Sequence, residues 1–136
     1  MKNNKGFSLV ELIIVIAIMA ILVGVMAPQL IKYIEKTNVA SDVQLCDSIR
    51  TALTTATMDP DVVKAGCALG STTGDDIANV TGSVKTIADE ILGVELGSAK
   101  NQMKSKNAKG CAINYSLQGN QIKVWSDGDA SIFSGN

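Results

Sequence analysis

No histidine occurs anywhere in the chain. That absence excludes Ser-His and Cys-His nucleophilic pairs and every His-containing metal site, so any catalysis would rest on carboxylates, lysines or thiols alone. Cysteine is sparse and scattered. Cys46, Cys67 and Cys111 form no CxxC pair, a spacing unlike a zinc ribbon or a thioredoxin-type redox site. Their odd number leaves at least one thiol unpaired within a monomer. A dominant charge is missing too: 12 basic and 13 acidic side chains give a formal net charge of −1, without the one-sided basic field of a nucleic-acid binder. At 136 residues there is room for one small domain plus an N-terminal segment, because a soluble domain needs on the order of 100 residues to bury a core.

What the chain does have is one apolar block. Apolar residues make up 46% of the sequence, but much of that share lies near the N-terminus, while Thr, Ser, Gly, Asn and Asp dominate the rest. Met1 to Gly6 is short and polar with Lys2 and Lys5, and from Phe7 to Ala27 the only charged residue is Glu11. A run of about 20 apolar residues is what a helix needs to cross ~30 Å of hydrocarbon. Lys2 and Lys5 would keep the N-terminus on the cytoplasmic side. An ordinary secretory signal would be cut on its far side, at Ala27, but Pro28 would follow the cut and Glu11 would interrupt the apolar stretch. A plain anchor, with Glu11 snorkelling to the interface, must meet a cost of roughly 2.5–3.5 kcal/mol for a carboxylate inside the helix.

A third reading accounts for both the glycine and the glutamate. Lys5-Gly6-Phe7-Ser8-Leu9-Val10-Glu11 resembles the cleavage signal of type IV prepilins and pseudopilins, most closely that of a major pilin, with the resemblance extending over residues 5–35. It implies that a membrane peptidase cuts between Gly6 and Phe7 on the cytoplasmic side, that the new Phe7 amine is N-methylated, and that the apolar helix stays in the mature chain. Methylation of an amine retains its positive charge. Glu11 then offers the opposite charge about one helical turn away, and in subunits staggered along a filament the glutamate of one could pair with the amine of the next. An unpaired carboxylate in low dielectric is costly, so Glu11 reads as an assembly residue.

Beyond Pro28, helical spacing resumes through Val39, Val43, Cys46, Ile49 and Leu53, with Ser41, Asp42, Gln44, Asp47 and Arg50 between them. This predicts an amphipathic continuation of one helix from about Phe7 to Thr57, ended by Asp59-Pro60. Pro28 lacks the N–H that would bond the Gly24 carbonyl, and Gly24 is itself a weak helix former. Gly24 and Pro28 therefore mark an expected hinge, kinked but continuous in the membrane; as the pilin resemblance also implies, the stretch between them is expected to be unwound or strongly bent in a filament.

The remainder predicts a small head. Asp59 to Gly82 reads as a loop with one short helix. Ser83 to Gly93 reads as a second helix, with Val84, Ile87, Ile91 and Leu92 on one face, Ser83 as cap and Gly93 as terminator. From Cys111 the period becomes two: Cys111, Ile113, Tyr115 and Leu117, then Gly119-Asn120 as a two-residue loop, then Ile122 and Val124. That register sets Leu117 opposite Ile122 and Tyr115 opposite Val124, with the apolar face against Val43, Cys46, Ile49 and Leu53 and with Trp125 on the other side. Ser131 to Phe133 suggests a third strand. The fold class is α+β, a long N-terminal helix packed on a small C-terminal antiparallel sheet, which is also the arrangement that the pilin resemblance implies.

Cys46 falls on the buried stripe and reads as core. For Cys67 and Cys111 a disulfide is expected, although many type IV pilins instead pair two cysteines near the C-terminus. A site of all three thiolates with a carboxylate such as Asp47 is the metal alternative, and Asp127 and Asp129 offer a weak calcium pattern. No metal or other cofactor is assigned. Lys100, Lys104, Lys106 and Lys109 form a basic run best read as a solvated loop; a DNA- or surface-binding patch is the functional alternative, but no aromatic residue interleaves it, so nucleic acid lacks support.

The expected organisation is a leader over 1–6, a transmembrane and filament-core helix over 7–30, and a head over 31–136. Loss of Lys2 and Lys5 leaves 10 basic against 13 acidic side chains, a balance of −3. The expected function is structural and not enzymatic: a pilus subunit, single-pass in the cytoplasmic membrane and then on the cell surface, homopolymeric, handled by a prepilin peptidase and an assembly platform, and serving adhesion, twitching or DNA uptake. The alternatives are a pseudopilin of a secretion or competence machine and a tethered binding domain that never polymerises.

Overall fold

The structure is a computed structural model and describes residues 5–66, 69 and 73–135. Its first helix, α1, spans Leu9–Met58 and contains Pro28 without ending there. The chain divides into two compact units, one running to Ile34 and one beginning at Glu35.

In the first unit the helix is exposed on every face: Leu9, Ile13, Ile16, Met19, Val23 and Met26 are all more than half accessible. Of the described helices, only α1 is long and apolar enough to cross a membrane, and none of its apolar window is buried by the described residues.

In the second unit α1 buries Asp42, Cys46, Ile49, Ala52, Leu53 and Ala56, a repeat of three and four that forms one stripe. This stretch is rich in Ser and Thr, which are weak helix formers. Their hydroxyls bond back into the helix: Ser48 to the Gln44 carbonyl, Thr51 to Asp47 and Thr54 to Arg50, at 2.7–3.0 Å. Those bonds satisfy the side chains without unwinding it. Asp59 then caps α2 (Pro60–Ala65), its carboxylate accepting the Asp61 N–H, and Gly66 closes α2 at φ 66°, a left-handed position that glycine fills without a Cβ clash.

The region expected to be mostly loop holds more structure than its composition suggested. Asp75–Asp76 form a short strand, β1, followed by a 3-10 turn over Ile77–Asn79. Helix α3 spans Gly82–Leu92, so Ser83 lies inside it and is not the cap. Thr81 occupies the cap position without a side-chain bond, and Gly93 ends the helix at φ 71°. The buried face is Val84 with Ala88, while Ile91, expected to be inside, is 48% exposed. Lys85 bonds Asp89 and Glu95 at 2.6 and 3.1 Å, and Asp89 also accepts the Leu96 N–H. These contacts tie α3 to the 3-10 helix over Leu96–Gln102.

Strands β2 (Ile113–Gln118), β3 (Gln121–Ser126) and β4 (Asp129–Ser134) complete an antiparallel sheet in the order β1-β2-β3-β4. Leu117 pairs with Ile122 and Tyr115 with Val124, the register expected from a Gly119-Asn120 loop. Cys111 precedes the strand that it was expected to begin. Ile113, Tyr115, Ile122, Val124 and Ile132 form one core with the α1 stripe; burying each large aliphatic side chain contributes roughly 1.5–3 kcal/mol. Trp125 lies on the far face, paired with Phe133 and covered at Gly74, where an added Cβ would come within 3.0 Å of the indole.

Candidate functional site

Three of the sequence-derived site residues, Gly6, Phe7 and Glu11, lie at the start of α1. Ser8 precedes the first helical residue, and its carbonyl accepts the Leu12 N–H at 3.2 Å. Its N–H donates to Glu11 Oε2 at 2.8 Å, while the Glu11 N–H donates to Ser8 Oγ at 3.3 Å. This reciprocal pair is a capping box, and the Ser-x-x-Glu spacing that signals it was present in the sequence but unread. Glu11 thus holds the amide of the residue directly after Phe7. Phe7 itself is 92% exposed. A Cβ at Gly6 would meet no atom of the described residues within 4 Å, so this chain's own packing gives no reason for glycine there. Gly24 is equally unconstrained, and Pro28 sits within a continuous helix.

The head contains a second constellation that sequence reasoning missed. Asp42, expected among the solvent-facing residues of α1, is 1% exposed. Its Oδ1 accepts the Lys104 N–H and its Oδ2 the Ser105 N–H, each at 2.8 Å. Glu35 Oε1 accepts the next amide, that of Lys106, at 2.7 Å. Three successive backbone amides are therefore clamped by two α1 carboxylates. Ser105 Oγ in turn accepts the Ala108 N–H, so the lysine-bearing loop is ordered while Lys104, Lys106 and Lys109 remain exposed. Only the separation of Asp42 from Cys46 by one helical turn hinted at this inward placement.

Asp47 joins α1 to β4. Its Oδ1 accepts from Ser134 Oγ at 2.8 Å and from Arg50 Nη2 at 3.0 Å. The Ser134 bond first, and then Arg50, hold its carboxyl below the usual range. Asp129 accepts from the Ser131 hydroxyl and amide, which lower its pKa, and Asp127 accepts from the Asn114 amide nitrogen. These two carboxylates, weighed as calcium ligands, are engaged within the chain. Among the described residues no group of three or more Cys, Asp or Glu is placed to hold a metal ion.

Cys46 is fully buried, and burial, reinforced by Asp42, pushes its thiol up to about 12. It is a packing residue. Cys111 is a half-buried free thiol donating to the Asn107 carbonyl at 3.3 Å. Cys67, its expected disulfide partner, lies outside the described residues.

Residues 1–27 match the family model of the prokaryotic N-terminal methylation motif. The chain is 30% identical over 140 residues to the type IV major pilin protein PilE of Neisseria gonorrhoeae, covering 97% of this chain and 74% of that protein. It is 38% identical over 79 residues to the type IV major fimbrial protein FimA of Dichelobacter nodosus, covering 58% of this chain. A fimbrial protein of Pseudomonas aeruginosa is 39% identical over 59 residues, 43% of this chain and 38% of that one. The alignment with FimA spans half of that relative's length. No solved structure matches. With an N-terminal methylation motif opening a long apolar helix, a head built on an antiparallel sheet, and similarity to PilE along nearly the whole chain, this chain belongs to the type IV pilin family.

Proposed function

We propose that the chain is a major pilin, cleaved between Gly6 and Phe7 by a membrane peptidase, methylated at Phe7, and polymerised through its N-terminal helix into a surface filament. The observation that carries the reading is the coincidence of the methylation motif with a helix whose first half presents an apolar surface that no described residue of the chain covers. Lipid covers that surface before assembly, and neighbouring helices cover it afterwards. In this scheme residues 1–6 are the leader, 7–30 the stem and 31–136 the head. Gly6 serves the peptidase, which must fit an extended backbone at the cut.

Cleavage converts the Phe7 amide nitrogen into a charged amine beside the residue whose N–H Glu11 already binds. Opposite unit charges about 4 Å apart attract by on the order of 4 kcal/mol at an effective dielectric of 20. That is comparable to the roughly 2.5–3.5 kcal/mol cost of holding a lone carboxylate in a membrane helix. Pairing with the amine of an incoming subunit therefore turns a liability into a register mark. Adhesion, twitching and DNA uptake are the services such a filament performs.

The decisive experiment is mass spectrometry and N-terminal sequencing of protein sheared from the cell surface. The expected species begins at N-methylated Phe7 and is recovered in filaments. Recovery of only uncleaved chain, confined to membranes, would overturn both processing and polymerisation.

A further inference from the structure

Between α1 and the loop that Asp42 pins lies an open trough of about 780 Å³, within the size range of ligand-binding clefts. Asn38, Ser41, Gln44 and Ser48 line it from one face of α1, and Lys104 and Lys109 line it from the loop. No carboxylate is among its described lining residues. The acids of α1 that neighbour these residues in sequence are occupied, Asp42 by the Lys104 and Ser105 amides, Glu35 by the Lys106 amide, and Asp47 by Ser134 and Arg50. The ion pairs of the described residues involve Arg50 and Lys85, and none of them involves Lys104, Lys106 or Lys109. In a mildly acidic head, with 10 basic and 12 acidic side chains over 31–136, this trough combines uncompensated cations with a row of neutral amides and hydroxyls.

We propose that the trough binds an acidic polysaccharide. Sugar hydroxyls both donate and accept hydrogen bonds, as do the side chains of Asn38, Ser41 and Gln44, while Ser48, whose hydroxyl donates to the Gln44 carbonyl, remains an acceptor; uronate carboxylates complement the two ammonium groups. The described lining residues include no aromatic ring, so they offer no platform for the bases of single-stranded nucleic acid. A phosphate backbone would engage the cations and accept from the same amides and hydroxyls, but it would leave the carbonyl and hydroxyl acceptors of that row without donors, which sugar hydroxyls supply. Because carboxylates of α1 already hold the loop, binding incurs little of the ordering cost that a mobile lysine loop would impose.

The test uses the full chain in detergent with polygalacturonate as probe, dextran as the neutral comparator and duplex DNA as the competing polyanion, all by titration calorimetry at low salt. Polygalacturonate is expected to bind, dextran not to bind, and the affinity to fall with added salt. The double variant K104Q/K109Q should weaken binding by about tenfold or more, and Gln44→Ala should weaken it at unchanged salt dependence. Lys64→Gln, at an exposed position of α2 outside the trough lining, serves as the control and should leave binding unaltered. Thermal unfolding followed through Trp125 verifies that each variant is folded. Equal affinity for the double variant, or no binding by the native chain, overturns the proposal. Tighter binding of DNA with the same lysine dependence reassigns the trough to nucleic acid. Failure of polygalacturonate to bind, together with loss of filaments in K104Q/K109Q, reassigns it to contact with a second copy of this chain.

Discussion

Replacing Asp42 with alanine should destabilise the head more than any surface substitution on α1. The change removes both carboxylate oxygens that accept the Lys104 and Ser105 amides at 2.8 Å. Ser105 is fully buried, so water cannot readily replace the lost acceptor at its amide. Hydrogen bonds to charged groups contribute about 1.5–3 kcal/mol each. Relief of the carboxylate's own desolvation offsets part of that sum. A net loss of about 3 kcal/mol is expected, against a total of about 5–15 kcal/mol for a domain. Loss of that size lowers the midpoint of thermal unfolding by on the order of 10 °C for a head of this length. Asp42→Asn keeps one acceptor oxygen and should fall between alanine and the native chain. The single tryptophan, Trp125 in β3, provides the fluorescence signal for urea or thermal unfolding of the detergent-solubilised protein. An Asp42→Ala chain unfolding within about 0.5 kcal/mol of the native one, the scatter of ordinary surface substitutions, would refute the clamp.

Four further outcomes are expected. Glu11→Ala should insert and be cleaved normally yet yield few filaments, whereas Ser8→Ala, which keeps the carboxylate, should assemble; normal filament yield from Glu11→Ala would remove the docking role. Asp47 has a lowered pKa in the folded head, so its contribution is present above the unfolded carboxylate value of about 3.9 and is lost as pH falls through the folded value. Asp47→Asn should therefore flatten the acid limb of the stability curve, and an unchanged limb would contradict the assignment. Gly128→Ala would place a Cβ 2.1 Å from the Asn107 carbonyl oxygen and 2.7 Å from Cys111 Sγ; a loss of about 1–3 kcal/mol is expected from such overpacking, and a native unfolding midpoint would show that the loop simply moves. In assembled filaments the stretch from Gly24 to Pro28 should be unwound or strongly bent, and a straight helix through it in a filament reconstruction would reduce both residues to tolerated defects.

The parts of this fold that were legible in the sequence are those governed by period. A repeat of three and four placed Cys46, Ile49 and Leu53 inside, and alternation about Gly119-Asn120 fixed the pairing of Tyr115 with Val124. Both follow from the requirement that apolar residues share one side of a helix or strand. The parts that were not legible depend on contacts between distant segments. Asp42 looks like a solvent-facing residue until the loop at 104–106, more than sixty positions away, brings its amides to the carboxylate. Strand β1, only Asp75–Asp76, carries no periodic signal because two residues cannot display one. Ile91 shares the helical spacing of Val84, but α3 turns Ala88 inward instead, and which arc of an amphipathic helix is covered depends on what packs there.

The two ends of α1 also differ in what their sequence can specify. Its head-bound half carries one stripe, because a fixed partner covers one face and water the rest. The half before Ile34 carries no stripe: Leu12, Ile13, Ile14, Val15 and Ile16 are all exposed to a similar degree around the helix. A single protein partner would select one face, whereas hydrocarbon does not, so uniform apolarity fits a segment that must first dissolve in lipid. Uniform apolar surface also specifies no register when such helices pack on one another, since sliding past a neighbour exchanges one aliphatic contact for another. Register must then come from the exceptions. Glu11 is the only charged residue between Phe7 and Ala27, and it stands one turn from the position where cleavage would create a cation. On the proposed assembly, the apolar stem supplies cohesion without direction and the single carboxylate supplies position. That division of labour explains why one charge is retained in a segment that would insert more readily without it.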